Sequence, residues 1–91
     1  MAPERPWEAD PGARFLRRLG RSPQELGVTS DSEACPDIWE LDTGDIAVIG
    51  RDFTEQAKSR LPEGVSVAPD ERVVVMPRSM AVAAKKDMPD A

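Results

Sequence analysis

The chain has 91 residues, a formal net charge of −5, no histidine and one cysteine. One thiol cannot form an intramolecular disulfide, and without histidine it cannot complete a tetrahedral zinc site. No apolar run approaches the ~20 residues of a membrane span, so we expect a cytoplasmic protein without a metal, a cofactor or a membrane partner. The missing histidine also removes the commonest general acid or base at neutral pH, which argues against an enzyme.

Charge is distributed unevenly along the chain. Residues 1–22 contain five arginines against three acids, whereas residues 23–71 contain three basic residues against twelve acids. Phosphate contacts require clustered Lys and Arg, so the acidic middle argues against nucleic acid as a partner. A basic N-terminal arm that touches nucleic acid while the acidic body stays clear is kept as an alternative.

The first 34 residues are expected to form a flexible N-terminal arm. Its Pro-rich start predicts disorder. Segment 11–20 then predicts a short amphipathic basic helix, with Asp10 as N-cap, Pro11 in the first turn and Gly20 at the end. A helix of this length is too short to be stable alone, so we expect it to form on a partner's groove. The residues predicted to contact that partner protein are Phe15, Leu16, Leu19, Arg14, Arg17 and Arg18.

The folded body is predicted to begin at Cys35 with a β-hairpin. The runs IWEL and IAVIG are rich in branched and aromatic residues, and they flank the turn sequence DTGD at 42–45. Asp52, with Glu55 three residues later, predicts the start of a helix over about residues 53–60. Trp39 is the only aromatic residue of the hairpin, and we expect it to be the packing centre of the domain.

Two more strands and a helix are predicted towards the C-terminus. Residues 65–67 alternate between apolar and polar, and the apolar run 73–76 predicts a central strand covered on both faces. Ser79 is a candidate cap for a helix that ends near Lys85. Residues 35–91 are therefore predicted to form a small β-β-α-β-β-α domain of the α+β class, with a mostly antiparallel four-stranded sheet and a frayed C-terminal tail.

Cys35 and two acidic clusters are the candidates for chemistry. Cys35 has no histidine to act as its base. The clusters Asp42/Asp45 and Asp70/Glu71 do not fit a calcium loop. Asp42-Thr43-Gly44 matches the triplet of retroviral-type aspartic proteases, but the chain leaves no room for the flap that those enzymes need, so we interpret these acids as turn residues. No catalytic or metal-ligating residue is predicted, and a small enzyme that uses Cys35 or a carboxylate pair is kept as an alternative.

The segment from Cys35 to Met80 resembles a group of small uncharacterised cytoplasmic proteins from actinobacteria. The matching runs are C-P-D-I-W-E-L, G-D-I-A-V-I-G, L-P-E-G-V, a P-D-E turn and the strand exit Val75-Met76-Pro77-Arg78. The resemblance covers about half of the chain and leaves residues 1–34 outside it. It implies a stand-alone small cytoplasmic protein, and it carries over no catalytic or binding residue.

The size of the predicted body bears on function. A core drawn from about residues 35–88 buries little more apolar surface than is needed to offset the entropy of ordering the chain. Association with another protein, or formation of a homodimer, would supply additional buried surface. We therefore predict a non-enzymatic protein–protein interaction or regulatory accessory module.

Overall fold

The computed structural model describes residues 5–29 and 35–90. Within these ranges, the first three strands form an antiparallel sheet in chain order, and two shorter strands pair with each other in a separate antiparallel ribbon. The protein is thus a small α+β domain, as predicted, but its strands are divided three and two instead of forming one sheet of four. The elements are β1 (Phe15–Arg18), β2 (Asp37–Leu41), β3 (Ile46–Ile49), β4 (Arg51–Asp52), α1 (Thr54–Ala57), β5 (Val74–Val75) and α2 (Arg78–Lys85).

The predicted hairpin is confirmed by β2 and β3. Their register places Glu40 opposite Ile46. In the turn, the Gly44 N–H donates to the Leu41 carbonyl at 3.0 Å, and the Leu41 N–H donates to the Asp45 carbonyl at 2.9 Å. Gly44 has a φ of 91°, the left-handed conformation that follows a type I turn in three-residue hairpin loops and that glycine adopts without strain.

The predicted helix over 11–20 is wrong, because residues Phe15–Arg18 form a strand along the edge of β2. Arg17 lies opposite Glu40 and Arg18 opposite Trp39, while Leu16 is the extra residue of a bulge. So short a helix has little stability of its own, whereas β2 offers a complete row of backbone partners. Residues from the predicted arm therefore belong to the folded unit, and the division at residue 34 does not hold for this segment.

The core lies between this sheet and α2. It consists of Leu19 from the end of β1, Ile38 from β2, and Met80 and Ala84 from α2. Gly20 brings the chain against the helix: it has a φ of 80°, and a Cβ at this position would lie 2.7 Å from the Ala84 backbone nitrogen. Only a residue without a side chain fits so close to the backbone of another element.

The expectation that Trp39 is the packing centre is wrong. Successive strand residues point to opposite faces, and the buried Ile38 occupies the face that α2 covers. Trp39 is half-buried on the other face. Its neighbours there are Phe15 and Arg18, not Phe53 or the strand at 73–76 as expected.

The elements after the hairpin are shorter than predicted. Helix α1 covers only Thr54–Ala57, and residues 65–67 form no strand. Asp52 lies in β4, where its Oδ1 accepts bonds from the Thr54 N–H at 3.0 Å and from the Thr54 hydroxyl at 2.7 Å. The same hydroxyl accepts the Val73 N–H at 2.9 Å, so Thr54 ties the start of α1 to the entry of β5. The short helix is held by these bonds because it offers little apolar surface for packing.

Three further expectations at the C-terminal end need correction. Strand β5 was expected to be covered on both faces, yet both Val74 and Val75 are exposed, because β5 pairs only with the two-residue β4. The C-terminal helix is confirmed with Lys85 in its last turn, but Pro77, not Ser79, occupies the N-cap position. The tail expected to be frayed is tied back at Asp87, whose Oδ2 accepts the Gly20 N–H at 2.8 Å.

Candidate interaction surface

The sheet β1-β2-β3 has one face covered by α2 and one face that we call the open face. Register and alternation place the side chains of Phe15, Arg18 and Trp39 on the open face, next to those of Asp37 and Ile49. Phe15 is 57% exposed and Ile49 is 48% exposed. The open face therefore presents apolar side chains to solvent on a rigid strand framework.

Phe15, Arg18 and Trp39 form a connected group that we call the aromatic patch. The rings of Phe15 and Trp39 meet edge to face, with centroids 5.6 Å apart and planes inclined at 65°. The guanidinium carbon of Arg18 lies 4.9 Å from the centroid of the Trp39 ring. Both arrangements follow from the ring quadrupole, whose negative face attracts the edge of another ring or a cation.

A carboxylate fixes the arginine of the aromatic patch. Arg18 Nε donates to Asp37 Oδ1 at 3.0 Å, and Arg18 Nη2 donates to Asp37 Oδ2 at 2.9 Å. Asp37 is buried, and its Oδ1 also accepts the N–H of Ile38 at 3.1 Å. The hydrogen bond to Asp37 raises the pKa of Arg18, so the guanidinium stays charged and held in one plane over the Trp39 ring.

The predicted partner-contacting residues differ in their exposure. Phe15 and Leu16 are exposed as predicted, but Leu19 is 1% exposed in the core and offers no surface to a partner, so its assignment as an anchor is wrong. The predicted helix places the side chains of Phe15, Leu16 and Leu19 on one side. In the structure Leu19 follows β1, and its side chain lies in the core between the sheet and α2. Trp39 was missed as a surface residue because an aromatic residue in an apolar strand run is typical of a core.

Two of the three arginines assigned to a partner's acidic rim, Arg17 and Arg18, form ion pairs with carboxylates of this chain instead. Arg17 Nε donates to Glu40 Oε1 at 2.7 Å, and Arg17 Nη2 donates to the Asp87 carbonyl at 2.9 Å. The backbone N–H of Arg14 donates to Asp42 Oδ1 at 3.0 Å. Together with the Arg18–Asp37 pair, these bonds fasten the basic segment along the acidic hairpin.

Both acidic clusters also accept bonds from the segment before β1. The Trp7 indole N–H donates to Asp45 Oδ2 at 3.1 Å. Arg5 makes two bonds to the carboxylate of Asp70, at 2.6 and 2.8 Å, which lower the pKa of Asp70. Among the described residues no group of three or more potential ligands could hold a metal ion. The bonds to Asp42, Asp45 and Asp70 attach residues 5–14 to the folded body.

Cys35 lines an apolar cavity of about 510 Å³ near the ends of β3 and β5. The thiol is half-buried, and Gln24 Nε2 lies 3.8 Å from its sulfur. Of the other described lining residues, Arg51 alone is ionisable. The cavity presents no carboxylate among these residues that could act as a general base.

Comparisons of the chain with family models, with curated proteins and with solved structures found no match. In the part of the chain that the structure describes, no helix has the length and apolar character required to cross a bilayer.

Proposed function

We propose that this chain is a small cytoplasmic protein-interaction module without catalytic activity, and that it binds another protein through the aromatic patch. The observation that carries this proposal is the exposure of Phe15 on a tryptophan and an arginine that are already held in place. Trp and Arg are the residue types most enriched among the energetically dominant positions of protein interfaces. An accessory role in regulation is the biological setting that this proposal favours.

The rigidity of the aromatic patch supports binding. Side chains that must be ordered on association cost about 0.5–1.5 kcal/mol each, and that cost falls when the side chain is already fixed. Trp39 is fixed between Phe15 and Arg18, and Arg18 is fixed by Asp37. A partner with an apolar surface would bury the exposed ring of Phe15 while the tryptophan beneath it keeps its position.

A nucleic-acid-binding arm is less well supported by the same contacts. Arg5, Arg17 and Arg18 each form an ion pair with a carboxylate of the folded body. A phosphate would have to replace these internal partners, so the basic segment offers less free positive charge than its sequence suggests.

A small enzyme that uses Cys35 is the second candidate, and one observation favours it. The cavity beside Cys35 has a volume suited to a small apolar ligand and contains the cationic Arg51. The rate of labelling by a thiol-reactive probe tests this candidate. Labelling of Cys35 no faster than that of an unfolded-peptide thiol counts against a nucleophile.

The interaction proposal is tested by comparing two exposed apolar side chains. Phe15→Ser removes the exposed ring of the aromatic patch, and Val82→Ser removes a 63% exposed side chain from α2, away from the open face. Each tagged variant is used to capture partners from native extract, after circular dichroism has shown that it is folded. We expect a partner that is retained by wild type and Val82→Ser and lost by Phe15→Ser.

A spectroscopic measurement links that partner to Trp39. In a Trp7→Phe background, Trp39 is the one remaining tryptophan, so its emission reports directly on the aromatic patch. The purified partner should shift this emission in proportion to binding. Equal capture by Phe15→Ser and wild type, or an unchanged emission on binding, would place the interaction elsewhere on the molecule.

A further inference from the structure

The two edges of the sheet β1-β2-β3 differ in how they are protected. Edge strand β1 carries a bulge at Leu16 and two arginines, which are devices that prevent pairing with another strand. Edge strand β3 has the sequence IAVI, without charge, proline or bulge, and it pairs with β2 alone among the described strands. Ile46 and Val48 are 38% and 43% exposed. An edge of this kind is a template for a further strand.

The hydrogen-bond pattern identifies the backbone groups that this edge offers. The Leu41 N–H bonds the Asp45 carbonyl, so these two residues form a hydrogen-bonded pair. Such pairs alternate along an antiparallel ladder, and the groups of Ala47 and Ile49 therefore face β2. The N–H and C=O groups of Ile46 and Val48 point away from the sheet.

We propose that two copies of this chain associate through β3, antiparallel and about a two-fold axis, with Ile46 opposite Val48 of the second copy. In this register every outward N–H and C=O of the two residues is paired across the interface. Ile46 and Val48 also meet as cross-strand apolar pairs, and the small Ala47 lies opposite Ala47 of the second copy at the axis. The interface is isologous, as two-fold symmetry requires.

The charges at the two ends of β3 favour a second copy of this chain as the pairing partner, in the antiparallel direction. Asp45 precedes the strand and Arg51 follows it. Antiparallel pairing brings the end of β3 that begins at Asp45 next to the end that leads into Arg51 of the second copy, and the symmetric approach repeats at the other end. Parallel pairing would instead align Asp45 with Asp45 and Arg51 with Arg51, which like-charge repulsion disfavours. The strand is thus complementary to itself in one direction only.

The dimer has a geometrical consequence for the aromatic patch. Antiparallel pairing in one sheet sets the two-fold axis perpendicular to the sheet, so each face of β1-β2-β3 continues into the same face of the second copy. Both α2 helices then lie on one side and both aromatic patches on the other. This presentation of two patches rests on the proposed function, and it would increase avidity for a repeated target without new contacts.

The experiment is sedimentation equilibrium of the full chain over a concentration series. Wild type should fit a monomer–dimer equilibrium. Ile46→Pro removes an outward N–H at the first residue of β3, where the ladder with β2 does not use it, and should give a monomer. Ile46→Val keeps that N–H and is the matched control, which should still form the dimer.

A charge-reversal pair tests the register. Asp45→Arg and Arg51→Asp should each weaken the dimer, and the double variant should restore it, a recovery that general destabilisation would not produce. A wild type that stays monomeric to its solubility limit, or a dimer that Ile46→Pro leaves intact, overturns the proposal. Phe15→Ser should remain dimeric, and loss of the dimer there would assign the interface to the aromatic patch instead. Dimerisation and partner capture are thereby separately falsifiable.

Discussion

The guanidinium of Arg18 lies over the ring of Trp39, its central carbon 4.9 Å from the ring centroid. The same group bonds both carboxylate oxygens of Asp37, so its plane is fixed from two sides. Trp39 is therefore oriented by a partly buried ion pair and a neighbouring ring, while the core lies on the other face of its strand. The tryptophan therefore contacts a ring and a guanidinium on the open face and is not part of the buried core.

Removing the arginine should affect both stability and the environment of Trp39. Arg18→Ala leaves the buried carboxylate of Asp37 without its main partner, and an unsatisfied buried acceptor costs about 1–3 kcal/mol. Urea unfolding measures that loss, and Trp39 emission in a Trp7→Phe background should shift in the folded state. Arg21→Ala is the control, because Arg21 is exposed and forms no ion pair with another described residue. A similar shift in both variants would argue against the Arg18–Trp39 contact.

Two leucines of one segment distinguish the strand β1 from the helix that the sequence predicts. Leu19 is 1% exposed and Leu16 is 61% exposed. Leu19→Ala should lower the free energy of unfolding by about 2–5 kcal/mol, the usual cost of emptying a core site. Leu16→Ala should change it by less than ~0.5 kcal/mol, as is typical of surface sites. Similar urea midpoints for the two variants would indicate that both leucines are exposed on one face of a helix.

The hairpin could be predicted because its signal is local. The turn sequence at 42–45 contains a glycine at the position that requires a positive φ, and apolar runs flank it. Strand β1 could not be predicted in this way. Its arginines have the spacing of one side of a helix. Their partners are distant in the chain: Asp37 lies 19 residues after Arg18, and Glu40 lies 23 residues after Arg17. Local periodicity carries no information about such pairs.

The candidate site was predicted only in part for the same reason. Phe15 is predicted to contact a partner from the apolar side of the expected helix; it is exposed, but it lies in strand β1. Trp39 was assigned to the core because an aromatic strand residue usually lies there. Which face of β2 becomes buried is decided by α2, more than thirty residues later in the chain, whose Met80 and Ala84 cover Ile38. The sequence of β2 alone does not determine which of its two faces is buried.

Gly20 should tolerate substitution less well than Gly44. Both have positive φ, which costs a residue with a side chain about 1–2 kcal/mol. At Gly44 an added Cβ meets nothing within 4 Å, whereas at Gly20 it lies 2.7 Å from the Ala84 nitrogen. Gly20→Ala should therefore cost about 1–3 kcal/mol more than Gly44→Ala, since the helix must move to admit the methyl group. Equal melting temperatures would mean that Gly20 does not contact α2.

Acidification should detach the segment around Arg5 before it unfolds the core. The bonds from Arg5 hold the pKa of Asp70 below its ordinary value of 3.8. A carboxyl group with a lowered folded-state pKa stabilises the folded state at pH values above 3.8, and this contribution is lost as the pH falls through the folded-state pKa. The segment that carries Trp7 should therefore stay attached at neutral pH and be released below pH 3.8. Trp7 emission in a Trp39→Phe background reports that release.

The Asp70→Asn variant and added salt test whether the Arg5–Asp70 ion pair is what holds the segment. The amide cannot form the ion pair at any pH, so Trp7 in the Asp70→Asn variant should show the released emission already at neutral pH and no transition on acidification. Because the pair is exposed, salt should weaken it, and the wild-type transition should move to higher pH as the ionic strength rises. Glu8→Gln is the matched control: Glu8 lies 3.8 Å from Arg5, too far for a direct hydrogen bond, and its loss should leave the transition in place. If Asp70→Asn retains the wild-type transition, the segment is held by other contacts, of which the Trp7–Asp45 bond is the first to test.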